Sequence, residues 1–154
     1  VLWLTNAICP ANEHFMSNLL RQMLYAQIHD AAIPEDDSKV IVLYLPEREI
    51  HDISLLFVHQ LCRAHGKKSV LLGQSVPFDD LPAVAAQFPN VAFVTYCTTS
   101  PSEAQAQAYV DRIARTFEGG SVTFHLAGNV FRNAKPTEGV TIDLTGGELV
   151  QRLF

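Results

Sequence analysis

From residue 39 to the end of the chain, five short runs rich in Val, Leu, Ile or Phe and nearly free of charge alternate with segments of helical periodicity. The runs lie near 39–45, 69–73, 91–96, 121–126 and 140–144, and the helical segments near 52–65, 79–87, 102–117 and 147–154. A strand apolar at successive positions is covered on both faces, and a parallel sheet with helices above and below supplies that cover. Parallel neighbours need long crossovers, which the intervening helices provide in a right-handed sense. The expected fold is therefore α/β, a doubly wound five-stranded parallel sheet. Gly66, after Ala64-His65, suits a helix end, and Ser100-Pro101-Ser102-Glu103 suits a helix start.

Upstream, Phe15, Leu19, Leu20, Met23, Leu24 and Ile28 recur at helical spacing behind Pro10, which predicts one amphipathic helix over 10–29. Residues 31–38, with Pro34 and Glu35-Asp36-Asp37, have no periodicity and read as a linker. The chain thus divides into a helical piece, 1–31, and an α/β domain, 39–154. It begins Val1-Leu2-Trp3, with neither an initiator Met nor a basic leader, and reads as a fragment whose amino-terminal partner lies upstream.

Composition narrows the function. The 154 residues are 48% hydrophobic, yet no apolar run approaches the roughly 18 residues that span a membrane. With a net charge of -5 and its 11 Lys and Arg scattered along the sequence, the chain shows no basic stripe for a phosphate backbone. The three cysteines, Cys9, Cys62 and Cys97, are odd in number and far apart, and suggest neither a disulfide framework nor a zinc site. A reducing cytoplasm is the expected setting.

His51 is the candidate functional residue. It follows the run Lys39 to Leu45 and opens a helical pattern, which places it at the carboxyl end of the first strand, where open α/β sheets bind ligands. Its context is Glu49-Ile50-His51-Asp52-Ile53-Ser54, and a carboxylate beside a neutral imidazole fixes the tautomer of a metal ligand. The bland alternative is a satisfied polar residue at a strand end. His29, His59 and His65 have no companions at metal spacing and read as surface or helix-face residues, while His125 alternates within a strand closer to the ligand face. Gly73-Gln74-Ser75-Val76-Pro77 lacks the spacing of a phosphate loop and reads as a turn, and Gly119-Gly120 and Gly146-Gly147 read as loop punctuation. A phosphoreceiver reading needs an aspartate ending the third strand, where Thr95-Tyr96-Cys97 stands instead.

The stretch Leu45 to Leu56, followed by His65 to Pro77, resembles the cobalamin-binding module, in the version attached to MerR-type transcriptional regulators that include the light-sensing repressors of carotenoid synthesis. Trp3, nine residues, then Glu13-His14 is similar to the helical cap over the upper face of cobalamin in those regulators. The resemblance implies a flavodoxin-like, cobalamin-binding type of sheet preceded by the last helix or helices of a helical cap, with Trp3, Glu13 and His14 in the cap. It implies His51 as the lower cobalt ligand, oriented by Glu49. Ser54, Thr95 and Ala127-Gly128 fall at the positions that admit the nucleotide tail, where the family has a glycine, a small hydroxyl residue and paired glycines. Ser54 and Ala127 add atoms there, and overpacking of a tight site costs about 1–3 kcal/mol. The second capping histidine of the photoreceptors is Leu4 here, so bis-histidine capture at that position is not expected.

The function implied by the resemblance is that of a non-enzymatic, ligand-sensing domain that binds cobalamin, most readily adenosylcobalamin, forms homo-oligomers, and controls DNA binding by a domain expected upstream. Two alternatives stay open: a cobalamin-free interaction or dimerisation domain of such a regulator, and a cobalamin carrier domain of a methyltransferase or mutase.

Overall fold

The structure, a computed structural model, describes residues 9–35 and 38–154. Trp3 and Leu4 lie outside the described residues. Helix α1 spans Pro10–Asp30. Then β1 (Val40–Pro46), α2 (Ile53–Ala64), β2 (Ser69–Val76), α3 (Leu81–Ala85), β3 (Val91–Tyr96), α4 (Glu103–Thr116), β4 (Thr123–Ala127), β5 (Val140–Asp143) and α5 (Gly146–Leu153) come in turn. All five strands pair in parallel in the order β2-β1-β3-β4-β5. The chain order reverses between β1 and β3, which makes their carboxyl ends the switch point of the sheet.

Side-chain alternation divides the interior in two. Val40, Val42, Tyr44, Phe93, Phe124 and Leu126 point to one face and pack under α3 and α4, whose Leu81, Val110 and Ile113 are buried. Ile41, Leu43, Leu45, Val94 and Ala127 point to the other and pack under α2 and α5 through Leu55, Val58, Cys62 and Leu149. Each fully buried Leu, Val or Phe contributes about 1.5–3 kcal/mol. β1 is buried along its whole length, as its uninterrupted apolar run requires, whereas β2 at the sheet edge is only half covered.

Three local expectations are corrected. Gly73-Gln74-Ser75 is no turn but the bulged end of β2: Leu43 pairs with Leu71 and Tyr44 with Gly73, so one extra residue is absorbed while Gly73 takes φ 89°. The helix expected over 79–87 is a 3-10 turn at Phe78–Asp80 followed by the five residues of α3. Gly146-Gly147 is the first turn of α5, because Thr145 and Glu148 form a capping box in which each accepts the other's backbone N–H.

Helix α1 lies outside the two layers and has no buried residue. Ser17, Arg21, Leu24 and Ile28, spaced along one side, are its half-covered positions. Arg21 reaches Asp52 at the start of α2, and Arg63 near the end of α2 donates to the Ala31 carbonyl. The two helices therefore run side by side in the same direction, and the part of α1 before Arg21 projects past the carboxyl ends of the strands.

Candidate functional site

The loop between β1 and α2 carries the site. Glu49 is fully buried although it is a carboxylate, and its hydrogen bonds explain why it can be. The backbone N–H groups of Ile50 and His51 donate to Oε1 at 2.9 and 3.0 Å, and those of Thr98, Thr99 and Ser100 donate to Oε2 at 2.8, 2.6 and 3.0 Å. The carboxylate thus staples the β1 loop to the loop after β3, across the switch point. Burial alone would raise its pKa, but the N–H groups of Thr99, Ser100 and His51, with the His51 ring, hold it down to about 2.

His51 Nδ1 lies 2.5 Å from Glu49 Oε1. An ionised carboxylate only accepts, so Nδ1 carries the hydrogen and Nε2 keeps its lone pair. The His51 side chain is 49% exposed while that of Glu49 is fully covered, so the ring is anchored on its inner side and open on the other. This is a ligand of fixed tautomer, presented outward. Among the described residues no group of three or more His, Cys, Asp or Glu could hold a metal ion. A single imidazole suits a metal whose other donors come from elsewhere.

The next residue locks the loop from two more sides. Asp52 is buried; Oδ1 accepts from Arg21 Nε of α1 and Oδ2 from Gln74 Nε2 of β2, both at 2.7 Å. Arg48 N–H donates to Ser75 Oγ at 3.0 Å, and both residues take positive φ, 70° and 52°. Two non-glycine residues in that region mark a strained backbone held in place by its surroundings.

The other predicted residues divide. Ser54 is half-buried at the start of α2 and lines a cleft of about 390 Å³ between α1, α2 and α5, with Phe57, Tyr96, Leu20, Met23 and Gly146 on its walls. Thr95 is not there. It is fully buried on the opposite face of the sheet, its Oγ1 3.5 Å from Cys97 Sγ, because successive strand residues alternate; the side chain at the cleft is Tyr96. Ala127 is fully buried in the core under α2 and α5. Gly128 serves the backbone itself, since at φ 115° a Cβ would stand 2.0 Å from the Cys97 carbonyl oxygen. Glu13 and His14 are exposed on the projecting part of α1. They lie eight and seven residues before Arg21, about 10–12 Å further along the axis, beyond the loop that holds His51.

Among the remaining histidines, read from sequence as surface or helix-face residues, His59 lies on the buried face of α2, its Nδ1 3.0 Å from Ser69 Oγ. Burial and the neighbouring Arg63 push its pKa down to about 4. Burial also pushes the thiols of Cys62 and Cys97 up to about 12, and all three cysteines are free. Nothing in the sequence singles out Asp52 and Gln74 as a pair; the two are 22 residues apart, and only the pairing of β1 with β2 brings them together.

No protein-family profile matches the chain. It is 33% identical over 104 residues to the HTH-type transcriptional repressor CarH of Myxococcus xanthus, a match over 67% of this chain and 33% of the repressor. The chain thus spans about a third of that curated relative. Its fold matches the monomethylamine corrinoid protein of Methanosarcina barkeri with a TM-score of 0.63 at 18% identity, over 90% of this chain and 65% of that one. A cobalamin-binding protein of Desulfitobacterium hafniense matches with a TM-score of 0.53 at 16% identity, over 99% and 75%. The methanol:cobalamin methyltransferase complex of Methanosarcina barkeri matches with a TM-score of 0.51 at 18% identity, over 99% and 60%. Among the described residues no helix is long and apolar enough to cross a membrane. By sequence the chain is similar to a helix-turn-helix repressor and by fold to corrinoid- and cobalamin-binding proteins, which bears out its resemblance to the cobalamin-binding effector domains of MerR-type regulators.

Proposed function

We propose that this chain is the cobalamin-binding, ligand-sensing domain of a transcription regulator, in which His51 would hold the cobalt. The observation that carries the reading is the His51 imidazole, fixed through Nδ1 by a buried carboxylate and open at Nε2 at the switch point of the sheet. One outward imidazole, outside any three-residue metal cluster among the described residues, suits a cobalt whose four equatorial nitrogens come with the corrin. When bound, the group supplies a cobalt centre whose upper ligand can change.

The donor set and the cleft both fit. Phe57 and Tyr96 give the cleft aromatic walls beside Ser54, suited to the flat base of a nucleotide tail. Above the site, the projecting part of α1 carries Glu13 and His14 with exposed Phe15, Met16, Leu19 and Leu20, a face suited to the upper side of a corrin. Asp52 links that helix to the His51 loop, so a ligand seated between them would shift how the helical piece and the α/β domain sit together. A shift of that kind regulates assembly, and through it DNA binding by an upstream domain, provided the ligand's affinity differs between the two states.

A second reading, a cobalamin-free descendant that retains the fold as an interaction platform, is favoured by Ala127, fully buried against Leu149 and Val94 where the family has a glycine. A carrier domain of a methyltransferase is favoured by fold likeness alone. Mixing the purified protein with adenosylcobalamin or methylcobalamin in the dark, removing free ligand and recording the visible spectrum separates them. Retained corrin absorbance is the expected result, and none would favour the cobalamin-free descendant. Protein mass by light scattering, with and without ligand, separates the regulator from the carrier: a ligand-dependent mass is expected, and identical masses would count against the regulator.

A further inference from the structure

The basic residues, scattered in sequence, converge in space. The chain has four lysines, and Lys39, Lys67 and Lys68 line a single cavity of about 140 Å³ together with Arg152 and His125. Lys39 stands before β1, Lys67 and Lys68 before β2, His125 in β4 and Arg152 in the last turn of α5. This is the amino-terminal end of the sheet, opposite to the end that carries His51. Among the described residues no carboxylate lines the cavity, in a chain whose net charge is -5.

Two of these side chains are aimed. Asp143, 2% exposed, accepts from Arg152 Nε at 3.0 Å and from Nη2 at 2.8 Å, and holds the guanidinium at the rim. The Thr141 hydroxyl donates to the Phe124 carbonyl at 3.3 Å and therefore accepts from His125 Nδ1, 2.9 Å away, which leaves Nε2 for the cavity. Of the charged groups around the ring, burial first, then Lys39 and Arg152, lower the pKa of His125, and Asp143 opposes them. Cations gathered around one cleft repel one another, and an anion among them relieves that repulsion.

We propose that this basal cavity binds a small oxyanion of the phosphate class, free or as the phosphate of a nucleotide, held by Lys39, Lys67 and Arg152 with His125 as a further donor. The cavity is of a size for one such group. The site is independent of the cobalamin reading and stands or falls by itself. Binding of an anion and protonation of His125 favour each other, so each raises the affinity for the other.

The test follows the His125 ring by nitrogen-15 NMR across its titration while inorganic phosphate replaces chloride at constant ionic strength. Phosphate is expected to move the His125 midpoint to higher pH and to leave exposed His29 unaffected. The variant Lys39→Ala with Lys67→Ala, both at exposed positions, is expected to weaken phosphate by about tenfold or more. Adenosine monophosphate in place of phosphate separates the sources: tighter binding points to a nucleotide, equal binding to free phosphate. An unchanged His125 titration, or an equal response in the double variant, would overturn the proposal. So would a response seen only after Asp36→Asn and Asp37→Asn, which would make the chain's own acidic segment the occupant.

Discussion

The Nδ1 atom of His51 lies 2.5 Å from Oε1 of Glu49, and the carboxylate is shut off from solvent while the ring is half exposed. One residue thus takes the desolvation and the other meets the ligand. Five backbone N–H groups from two loops offset the burial of Glu49, so the orientation of His51 is set by the sheet and by more than its own loop.

Glu49→Gln keeps the shape and reverses part of the hydrogen bonding. An amide NH2 would face N–H donors that now point at oxygen, leaving buried groups unpaired at about 1–3 kcal/mol. Urea unfolding should show that loss. Cobalamin affinity should fall about 10–100-fold, as for other groups that orient a metal-bound histidine.

Acid should act in two steps. His59 has its pKa lowered from 6.5 to about 4, so the folded state binds fewer protons than the unfolded one; its contribution is complete above 6.5 and is lost as pH falls toward 4. His125, also lowered, acts in the same direction. Glu49, lowered from 4.5 to about 2, holds its contribution above 4.5 and loses it between there and 2. Urea midpoints across this range should fall on acidification, with the lower step absent in Glu49→Gln. A midpoint that rises on acidification would contradict the assignment.

Arg21→Ala should loosen α1 and leave the sheet intact. The pair is partly exposed at Arg21 and rates about 1 kcal/mol or less in global stability. Because α1 buries no residue, its amides should exchange with solvent markedly faster in the variant while those of β1 and β3 stay protected. Unchanged exchange in α1 would show that Asp52 does not hold the helix.

Gly128→Ala should be far more damaging than its single methyl suggests. The methyl would meet the Cys97 carbonyl at 2.0 Å with φ at 115°, and loss of at least about 2 kcal/mol is expected in thermal unfolding. Ala127→Gly, next door, tests whether that methyl obstructs a nucleotide tail: it should lower stability and tighten cobalamin binding if the tail passes there.

The sheet and the His51 loop are legible in the sequence because their signals are local. Uncharged runs mark covered strands, and Glu49 and His51 are two residues apart in one loop. Thr95 lies outside the cleft because a strand alternates its faces every residue, so a shift of one position moves a side chain through the sheet; Tyr96 lines the cleft. Asp52, Gln74 and Arg21 come from three elements, and no periodicity joins them. The convergence of Lys39, Lys67 and Lys68 is likewise set by parallel pairing, which places two strand starts side by side. Trp3 lies outside the described residues, so the tryptophan of the cap pattern remains an expectation from sequence.

The proposed function turns on whether His51 holds cobalt. Reduction of the bound cofactor to the cob(II)alamin state, with the protein labelled with nitrogen-15 and the cofactor at natural abundance, reports the axial nitrogen directly in the electron paramagnetic resonance spectrum. Doublet superhyperfine splitting from a labelled protein nitrogen, lost in His51→Ala, is the expected result. A triplet, the mark of the cofactor's own base on cobalt, or a spectrum unchanged by His51→Ala, would contradict it.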